Sequence, residues 1–151
     1  MKQKRVLAIS SGGGHWVQLQ RLKPVFDQYD TAYVTIRSDA RLYVPDSRFY
    51  TITDFTRRNL WRLTLLIPQL VRILIIERPD LVITTGSAPG LACLGLARLF
   101  TRARTVWIDS LANREDLSTS GKLARRVAHV WLTQWPEVSA PDGPDYWGAV
   151  L

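Results

Sequence analysis

An apolar run, a glycine turn and a helix-like stretch follow one another directly within the first 22 residues. Arg5 to Ile9 form the apolar run, the turn reads Ser10-Ser11-Gly12-Gly13-Gly14-His15, and apolar residues recur at helical spacing from Trp16 to Leu22. Glycine lets a ligand approach the backbone, and a helix N-terminus favours anions. The turn therefore predicts a site for a phosphate-bearing ligand, with His15 beside it; the alternative is a tight turn with a capping histidine.

The rest of the chain alternates predicted strands with predicted helices. The predicted strands are Thr31–Ile36, Arg48–Ile52, Leu81–Thr84, Thr105–Ile108 and Val130–Thr133, and helices are predicted over Leu91–Phe100 and Lys122–Ala128. This alternation predicts a Rossmann-like α/β fold with a parallel sheet and helices on both faces. The length of 151 residues suits a single domain over residues 1–151.

A second glycine loop, Thr85-Gly86-Ser87-Ala88-Pro89-Gly90, follows the predicted strand Leu81–Thr84. Ligands of open parallel sheets bind beyond the carboxyl ends of the strands. If the first and fourth strands are neighbours, as in the common doubly wound order, both glycine loops open into one cleft.

The charge balance limits the possible partners. Twenty Lys and Arg against thirteen Asp and Glu give a formal net charge of +7, which suits nucleic acid, an anionic membrane or a phosphorylated substrate. No paired Cys/His spacing and no RNP-like strand supports nucleic acid, so none is predicted. The single cysteine, Cys93, lies in an apolar run and is interpreted as a small core residue.

The stretch from Arg57 to Arg78 is apolar around most of a helical wheel, with a narrow polar stripe of Arg58, Arg62, Gln69 and Arg72. It is too short and too charged to span a bilayer. Pro68 is expected to kink or split the helix. Two interpretations stay open: a core helix covered by its neighbours, or a helix on a membrane surface, with Arg57, Arg58 and Arg62 near anionic headgroups and Trp61 at the interface.

Other ligand sites fit less well. A dinucleotide fingerprint lacks its third glycine, although Arg37 after the second strand suits NADP. Ser120-Gly121-Lys122 lacks the rest of a P-loop. One histidine with no cysteine or carboxylate at ligand spacing predicts no metal site, and His129 is interpreted as structural.

Three carboxylates after the fifth predicted strand are candidates for a base or a substrate hydrogen-bond acceptor: Asp109, Glu115 and Asp116. Asp116 or Ser118 is equally suited to cap the following helix.

Four blocks together resemble one family: the glycine turn at 10–15, Pro79 to Ser87, Trp107-Ile108-Asp109-Ser110 with Leu117 to Leu123, and Gln134-Trp135-Pro136-Glu137. They are similar to the PssD/CpsF-type bacterial polysaccharide proteins and to their eukaryotic relative, the membrane-recruiting subunit of the dolichol-diphosphate GlcNAc transferase. The match is collinear as far as Tyr146-Trp147-Gly148.

The resemblance implies half of a split GT-B glycosyltransferase similar to MurG. This chain would be the acceptor-side half, and a separate small subunit would bind the UDP-sugar, for N-acetylglucosaminyl, glucuronosyl or galactosyl transfer without a metal or cofactor. The acceptor would be a polyprenyl-diphosphate-linked glycan of exopolysaccharide or lipid-linked oligosaccharide biosynthesis. Eukaryotic relatives carry an N-terminal membrane anchor, and no such segment is predicted from this sequence. Attachment to the cytoplasmic face of the inner membrane is therefore expected from residues 57–78 or from the partner.

The resemblance and the pattern together assign the site. His15 and Asp109 are the predicted catalytic residues, although relatives often carry glutamate at the position of Asp109. The predicted diphosphate-binding residues are Ser11, Gly12, Gly13, Gly14, Gly86, Ser87 and Gly90, and the predicted membrane contacts are Arg57, Arg58, Trp61 and Arg62. The alternatives are a nucleotide-binding domain of an oxidoreductase or epimerase, and a non-catalytic membrane scaffold.

Overall fold

Seven parallel strands in the order β3-β2-β1-β4-β5-β6-β7 form the sheet of the computed structural model, which describes residues 2–150. The strands are β1 (Arg5–Ile9), β2 (Asp30–Thr35), β3 (Arg48–Thr51), β4 (Leu81–Thr84), β5 (Arg104–Ile108), β6 (Val130–Thr133) and β7 (Asp145–Tyr146). The helices are α1 (Gly14–Arg21), α2 (Lys23–Phe26), α3 (Leu63–Glu77), α4 (Ala88–Phe100) and α5 (Thr119–Ala124). Short 3-10 segments lie at Ser38–Tyr43, Leu60–Arg62 and Pro136–Val138.

The sheet has a separate apolar core on each face, as expected for a parallel sheet between helices. On one face, Trp16, Leu19 and Phe26 of α1 and α2 pack with Tyr33 of β2. On the other, α3, α4 and α5 cover the larger core, which contains Leu66, Leu70, Leu94, Trp107 and Ala124. The predicted Rossmann-like fold with helices on both faces is therefore confirmed.

The strand register brings the two glycine loops together. β1 pairs with both β2 and β4, and Ile9 lies opposite Thr84. Ser10 and Thr85, the next residues along each strand, thus start their loops at the same level of the carboxyl edge. The first and fourth strands are therefore neighbours, which is the condition on which a shared cleft was expected.

Several predicted boundaries differ from the structure for local reasons. α4 begins at Ala88 because Pro89 is acceptable in a first turn, where no N–H donor is needed. α5 is shifted towards the N-terminus because the Ser118 hydroxyl accepts from the Gly121 N–H at 2.8 Å and caps an earlier start. The two-residue strand β7 lies where no strand was predicted.

Pro68 does not split the long helix, so that part of the expectation is wrong. α3 runs unbroken from Leu63 to Glu77 with Pro68 inside. Pro68 and Thr64 are both exposed, so the Thr64 carbonyl that loses its helical donor faces water.

α3 is buried on one side only. Leu66, Leu70 and Leu74 face the core. Apolar side chains on and just before its outer surface are exposed, namely Leu60, Trp61, Leu65, Ile67, Ile75 and Ile76. The interpretation of this stretch as a core helix covered by its neighbours is therefore wrong. Within residues 2–150, α3 is covered on one side only. Gln69, predicted in the polar stripe, instead accepts from the Thr53 N–H at 2.8 Å.

Candidate functional site

A cleft of about 530 Å³ opens at the carboxyl edge of the sheet, between the two glycine loops and the segment before α3. Four of the predicted diphosphate-binding residues line it, namely Ser11, Gly12, Gly13 and Ser87, whereas Gly14 and His15 are not part of its lining. The lining is completed by three further segments: Ile36 and Arg37 after β2, Asp54, Phe55, Thr56 and Arg57 after β3, and Ala88 and Pro89 at the start of α4. The helices α1 and α4 begin at this edge, so their free N–H groups give the cleft anion-binding character.

The glycine turn needs glycine at Gly13, whose φ is 66°. Gly14 is the first residue of α1, and both Gly13 and Gly14 are exposed. At Gly12, a Cβ atom would lie 2.8 Å from Cδ of Arg37. The turn thus holds bare backbone in the cleft and lets the Arg37 side chain pack closely against it.

His15 joins the two loops. Its Nδ1 lies 3.0 Å from the Thr85 carbonyl oxygen, and the Thr85 hydroxyl donates to the His15 carbonyl at 2.7 Å. Because a carbonyl only accepts, Nδ1 carries the proton of the neutral ring and Nε2 keeps its lone pair. Among residues 2–150, Nε2 has no hydrogen-bond partner. The ring is thus held in the tautomer that a general base needs.

Two further predicted glycines lie below the cleft rather than on its surface. Gly86 has φ of 128°, and a Cβ there would come within 2.7 Å of the His15 ring. A Cβ at Gly90 would lie 2.2 Å from Oγ1 of Thr84, so Gly90 lets the first turn of α4 pack on β4. Both residues support the loop that carries Ser87.

Ser87 has an unusual backbone for a residue with a side chain. Its φ of 85° and ψ of 162° lie in a region that almost only glycine adopts. Its hydroxyl oxygen is buried and has no hydrogen-bond partner among residues 2–150. Strain and an unpaired polar atom at the start of α4 are both features that a bound ligand would explain.

Arg37, which would suit a 2′-phosphate, already has a partner. Nε and Nη2 of Arg37 lie 3.0 and 2.6 Å from the two carboxylate oxygens of Asp39. The hydrogen bond from Arg37 lowers the pKa of Asp39 and that from Asp39 raises the pKa of Arg37. Asp54 and Arg57 add one charge of each sign to the lining.

Asp109, the other predicted catalytic residue, is only 1% exposed and lies after β5. Its carboxylate accepts from Trp107 Nε1 at 3.1 Å, Asn113 Nδ2 at 2.9 Å, the Ser118 N–H at 3.0 Å and the Ser118 hydroxyl at 2.7 Å. Both oxygens are thus engaged in holding the loop that precedes α5. The geometry favours a positioning role, and catalysis by Asp109 stays a prediction.

The remaining candidate carboxylates lie away from the cleft. Glu115 is exposed, and Asp116 is paired with Lys122, whose hydrogen bond lowers the pKa of Asp116. Lys122 therefore serves this ion pair rather than a P-loop. Gly121 is required because a Cβ would lie 2.4 Å from Oδ1 of Asp109.

A buried amide cluster, which sequence reasoning missed, fixes the loops behind the site. Gln134 Nε2 donates to Gln18 Oε1 at 2.7 Å and to the Asp109 carbonyl at 2.8 Å. Gln18 Nε2 donates to the Ser110 hydroxyl at 3.1 Å, and Gln134 Oε1 accepts from the Val150 N–H at 2.8 Å. The sequence signals were a glutamine directly after a buried strand and its place in the block Gln134-Trp135-Pro136-Glu137 of the family resemblance.

The residues interpreted as structural are confirmed in that role. Cys93 is fully buried, and burial raises the pKa of its thiol to about 12. Nδ1 of His129 lies 2.9 Å from the Thr105 hydroxyl, on the opposite edge of the sheet from the cleft. Among residues 2–150, no group of three or more His, Cys, Asp and Glu side chains is arranged to hold a metal ion.

The predicted membrane contacts lie between the cleft and α3. Arg57 lines the cleft, Arg58 is exposed and Arg62 is half-buried. Trp61 is 67% exposed. No helix within residues 2–150 has the length and apolar character needed to cross a bilayer.

Comparison with known proteins places the fold. MurG of Acinetobacter baumannii superposes with a TM-score of 0.75 at 16% identity, covering 93% of this chain and 44% of MurG. UDP-GlcNAc 2-epimerase of Neisseria meningitidis, bound to UDP-GlcNAc, gives a TM-score of 0.63 at 12% identity, over 86% of this chain and 40% of the epimerase. The fold is therefore that of a GT-B N-terminal domain, and this chain spans less than half of either protein.

Sequence similarity is local. The UDP-N-acetylglucosamine transferase subunit ALG14 of Eremothecium gossypii is 33% identical over 66 residues, which are 40% of this chain and 30% of ALG14. No protein-family model matches the chain.

Proposed function

We propose that this chain is the acceptor-side subunit of a two-component glycosyltransferase that acts on a polyprenyl-diphosphate-linked acceptor. The observation that carries the proposal is the contact between the two glycine loops at one cleft, through His15 and Thr85. The likeness to ALG14, a transferase subunit by name, and to the MurG fold supports it. The chemistry implied is UDP-sugar-dependent transfer, for polysaccharide or lipid-linked oligosaccharide assembly.

The acceptor diphosphate is the ligand that suits the cleft. Bare backbone at Ser11, Gly12 and Gly13, the start of α4 at Ser87, and the cation Arg57 offer N–H donors and positive charge. Gly14 next to them is the first residue of α1 and adds a free helix N–H. The unpaired Ser87 hydroxyl supplies one more donor. Gly86 and Gly90 contribute by letting this loop pack on His15 and β4.

His15 is the general base of the proposed reaction. The acceptor hydroxyl oxygen forms the new bond to the anomeric carbon, the bond from that carbon to the nucleoside diphosphate breaks, and the hydroxyl proton passes to Nε2 of His15. The Thr85 carbonyl keeps Nδ1 protonated and stabilises the imidazolium that results. Asp109 acts indirectly, by fixing the loop beyond β5.

Reconstitution tests the proposal. The chain, alone and with its donor-binding subunit, is assayed with UDP-sugars and a polyprenyl-diphosphate-linked sugar. We expect transfer only with both subunits, and a loss of about 100-fold or more in kcat for His15→Gln with little change in KM. His129→Gln is the matched control and keeps full activity. Transfer by the chain alone, or an active His15→Gln variant, would contradict the proposal.

The membrane part of the proposal assigns the outer surface of α3 to the lipid. Trp61, Leu65 and Ile75 are exposed apolar side chains, and Arg57 and Arg58 beside them match anionic headgroups. Such a surface seats the subunit peripherally on the cytoplasmic face of the inner membrane, with the cleft next to the lipid. The acceptor's polyprenyl chain then stays in the bilayer while its diphosphate enters the cleft.

Vesicle flotation tests this surface. We expect the chain to float with vesicles of phosphatidylcholine and phosphatidylglycerol at low salt, and less as the salt concentration rises. Leu65→Glu on α3 abolishes flotation, whereas Leu42→Glu, at an 82% exposed position on the other face of the sheet, does not. Equal losses for the two variants, or no flotation of the wild type, would remove α3 from the membrane.

The alternative function is that of a nucleotide-binding domain of an epimerase or oxidoreductase. The fold is shared with UDP-GlcNAc 2-epimerase, so the fold alone does not separate the two activities. A chain of that class would convert UDP-GlcNAc, or bind NADP, without a partner. We expect no NADP binding, because Arg37, the residue that would suit its 2′-phosphate, is already paired with Asp39. Conversion of UDP-GlcNAc by the chain alone would favour the epimerase alternative.

A further inference from the structure

Side-chain hydrogen bonds hold the loop between β5 and α5 in place at the carboxyl edge of the sheet. The Leu111 N–H donates to Gln18 Oε1 at 3.2 Å, and Gln18 Nε2 donates to the Ser110 hydroxyl at 3.1 Å. Asn113 Nδ2 donates to the Asp109 carboxylate at 2.9 Å. The loop is therefore fixed to α1 through one amide side chain and to the end of β5 through another.

The fixed loop presents a cation without an anionic partner. The guanidinium carbon of Arg114 lies 5.4 Å from the ring centroid of Trp135, in a cation–π contact. The indole is itself held, because Trp135 Nε1 donates to the Leu111 carbonyl at 2.8 Å. Among residues 2–150, no carboxylate lies within 4.0 Å of the Arg114 guanidinium. Because Arg114 is exposed, its N–H donors are available to an anionic ligand.

The other cations near this edge are already engaged or lie elsewhere. Arg37 and Lys122 are each paired with an aspartate. Arg57 lines the cleft, over the other half of the sheet. In the part of the chain that the structure describes, Arg114 is therefore the one cation without a carboxylate partner where β5 and β6 end.

The geometry of the proposed reaction brings the leaving group to this half of the edge. The cleft lies over the loops that follow β1, β2, β3 and β4, and His15 lies at the junction of β1 and β4 through its bond to Thr85. In a displacement by the acceptor hydroxyl, the bond that forms and the bond that breaks lie on opposite sides of the anomeric carbon. An acceptor that enters from the cleft and loses its proton to His15 therefore leaves the nucleoside diphosphate beyond β4, about 5–10 Å further across the sheet, where β5 and β6 end.

We propose that Arg114 stabilises the diphosphate that leaves the UDP-sugar donor. The bond from the anomeric carbon breaks with its electron pair on the diphosphate oxygen, and the guanidinium donates hydrogen bonds to the diphosphate and compensates the new charge. The hydroxyl proton goes to His15, so Arg114 transfers none. Gln18, one turn after His15 on α1, holds the base and the loop of the cation on one element. The inference rests on the proposed function, and it gives the acceptor-side subunit a contact with the donor.

Transfer kinetics of the reconstituted complex test this role. We expect Arg114→Ala to lower kcat about 100-fold with little change in the KM of the acceptor, because the contact strengthens as the bond breaks. Arg114→Lys keeps the charge but loses the planar fork, so it should recover part of the activity. Arg126→Ala, at an exposed position beyond the end of α5, is the matched control and keeps full activity. An Arg114→Ala variant with the kcat of the wild type would overturn the inference.

Product binding separates this inference from the proposed function. The complex of both subunits is titrated with UDP and with uridine in a calorimeter. We expect Arg114→Ala to weaken the binding of UDP about ten-fold and to leave that of uridine unchanged, because the guanidinium contacts only the diphosphate. Equal weakening of UDP and uridine, or unchanged UDP affinity, shows that Arg114 does not contact the diphosphate. A wild-type complex whose UDP affinity depends on Arg114 but which transfers no sugar overturns the proposed function and leaves the diphosphate contact in place.

Discussion

Ser87 has the most strained backbone of the candidate site. Residues held in regions that favour glycine cost about 1–3 kcal/mol each, and a protein keeps them where the surroundings or a function require them. Gly86 before it also has a positive φ, and α4 starts directly after it. The strain therefore lies where the second glycine loop meets the cleft, and the side chain that causes it carries an unpaired hydroxyl.

Two substitutions separate the strain from the hydroxyl. We expect Ser87→Gly to raise the free energy of unfolding by about 1 kcal/mol, because glycine tolerates this φ and ψ. Ser87→Ala keeps the strain, so its stability does not rise. Both variants lose the hydroxyl and should bind farnesyl diphosphate more weakly in calorimetry. Wild-type affinity in both would exclude Ser87 from the diphosphate site.

His129 gives the protein a small dependence of stability on pH. Partial burial lowers the pKa of His129, and the neighbouring cations Arg98 and Arg104 lower it further. The neutral ring is thus favoured by folding, and its contribution is full above the unfolded pKa of about 6.5 and is lost as the pH falls through the lower folded value. Because His129 is exposed, the effect is expected to stay under about 1 kcal/mol.

Thermal melts between pH 7.5 and pH 5.5 check this prediction. We expect the melting temperature of the wild type to fall more on acidification than that of His129→Gln, whose side chain does not titrate. The difference between the two proteins isolates His129 from His15 and the carboxylates. Parallel curves for the two proteins would show that His129 does not contribute.

At the scale of the elements, one buried carboxylate connects the end of α3 to the amino-terminal ends of β1 and β3. Glu77, the last residue of α3, is 2% exposed. Arg48 Nε of β3 donates to both of its oxygens at 3.1 and 3.0 Å, and the Tyr50 hydroxyl donates to Oε1. Arg5 of β1 lies 3.8 Å from Oε2. The end of α3 is thereby fixed at the edge of the sheet opposite the cleft.

Removal of this charge should be costly. We expect Glu77→Gln to lower the free energy of unfolding by about 1.5–3 kcal/mol, because it removes one of the two carboxylates, Glu77 and Asp30, that neutralise Arg5 and Arg48. Glu137→Gln, at an exposed position, is the matched control and should stay within about 0.5 kcal/mol of the wild type. Urea unfolding of the three proteins measures both values, and a loss below about 1 kcal/mol for Glu77→Gln would contradict the role of this cluster.

At the scale of the whole molecule, the order of the strands decides where function can lie. β1 and β4 are far apart in sequence but adjacent in the sheet, so two glycine loops separated by some 70 residues meet through the contact of His15 with Thr85. The loop after β3 ends at the same edge, which brings Asp54 to Arg57 to the cleft. The parallel order thus gathers three loops at one edge and leaves the opposite edge to ion pairs such as that of Glu77.

The distribution of the helices is the second property of the whole molecule. All crossovers after β3 lie on one face, so α3 presents an apolar outer surface at one side and the sheet presents an apolar face at the other. The proposed membrane surface therefore lies on the face of the sheet that also carries α4 and α5.

The local sequence was sufficient to predict several strands, the candidate ligand loop and the apolar character of α3. β1, β4 and β6 have the predicted bounds, because short apolar runs with turn residues at both ends leave few alternatives. The glycine turn with His15 is the predicted ligand site, because three glycines between a strand and a helix permit close approach of a ligand. The apolar surplus of α3 was also visible, because a helix on a sheet buries only one face.

The tertiary structure decided what depends on contacts between distant residues. The tautomer of His15 follows from the Thr85 carbonyl, and the engagement of Asp109 follows from Asn113 and Ser118. The glycine turn was predicted as a general phosphate site, and its partner loop, its lining arginines and its fixed histidine come from the strand order. A sequence pattern specifies the elements through local sterics and periodicity, whereas long-range packing specifies which of their ends meet.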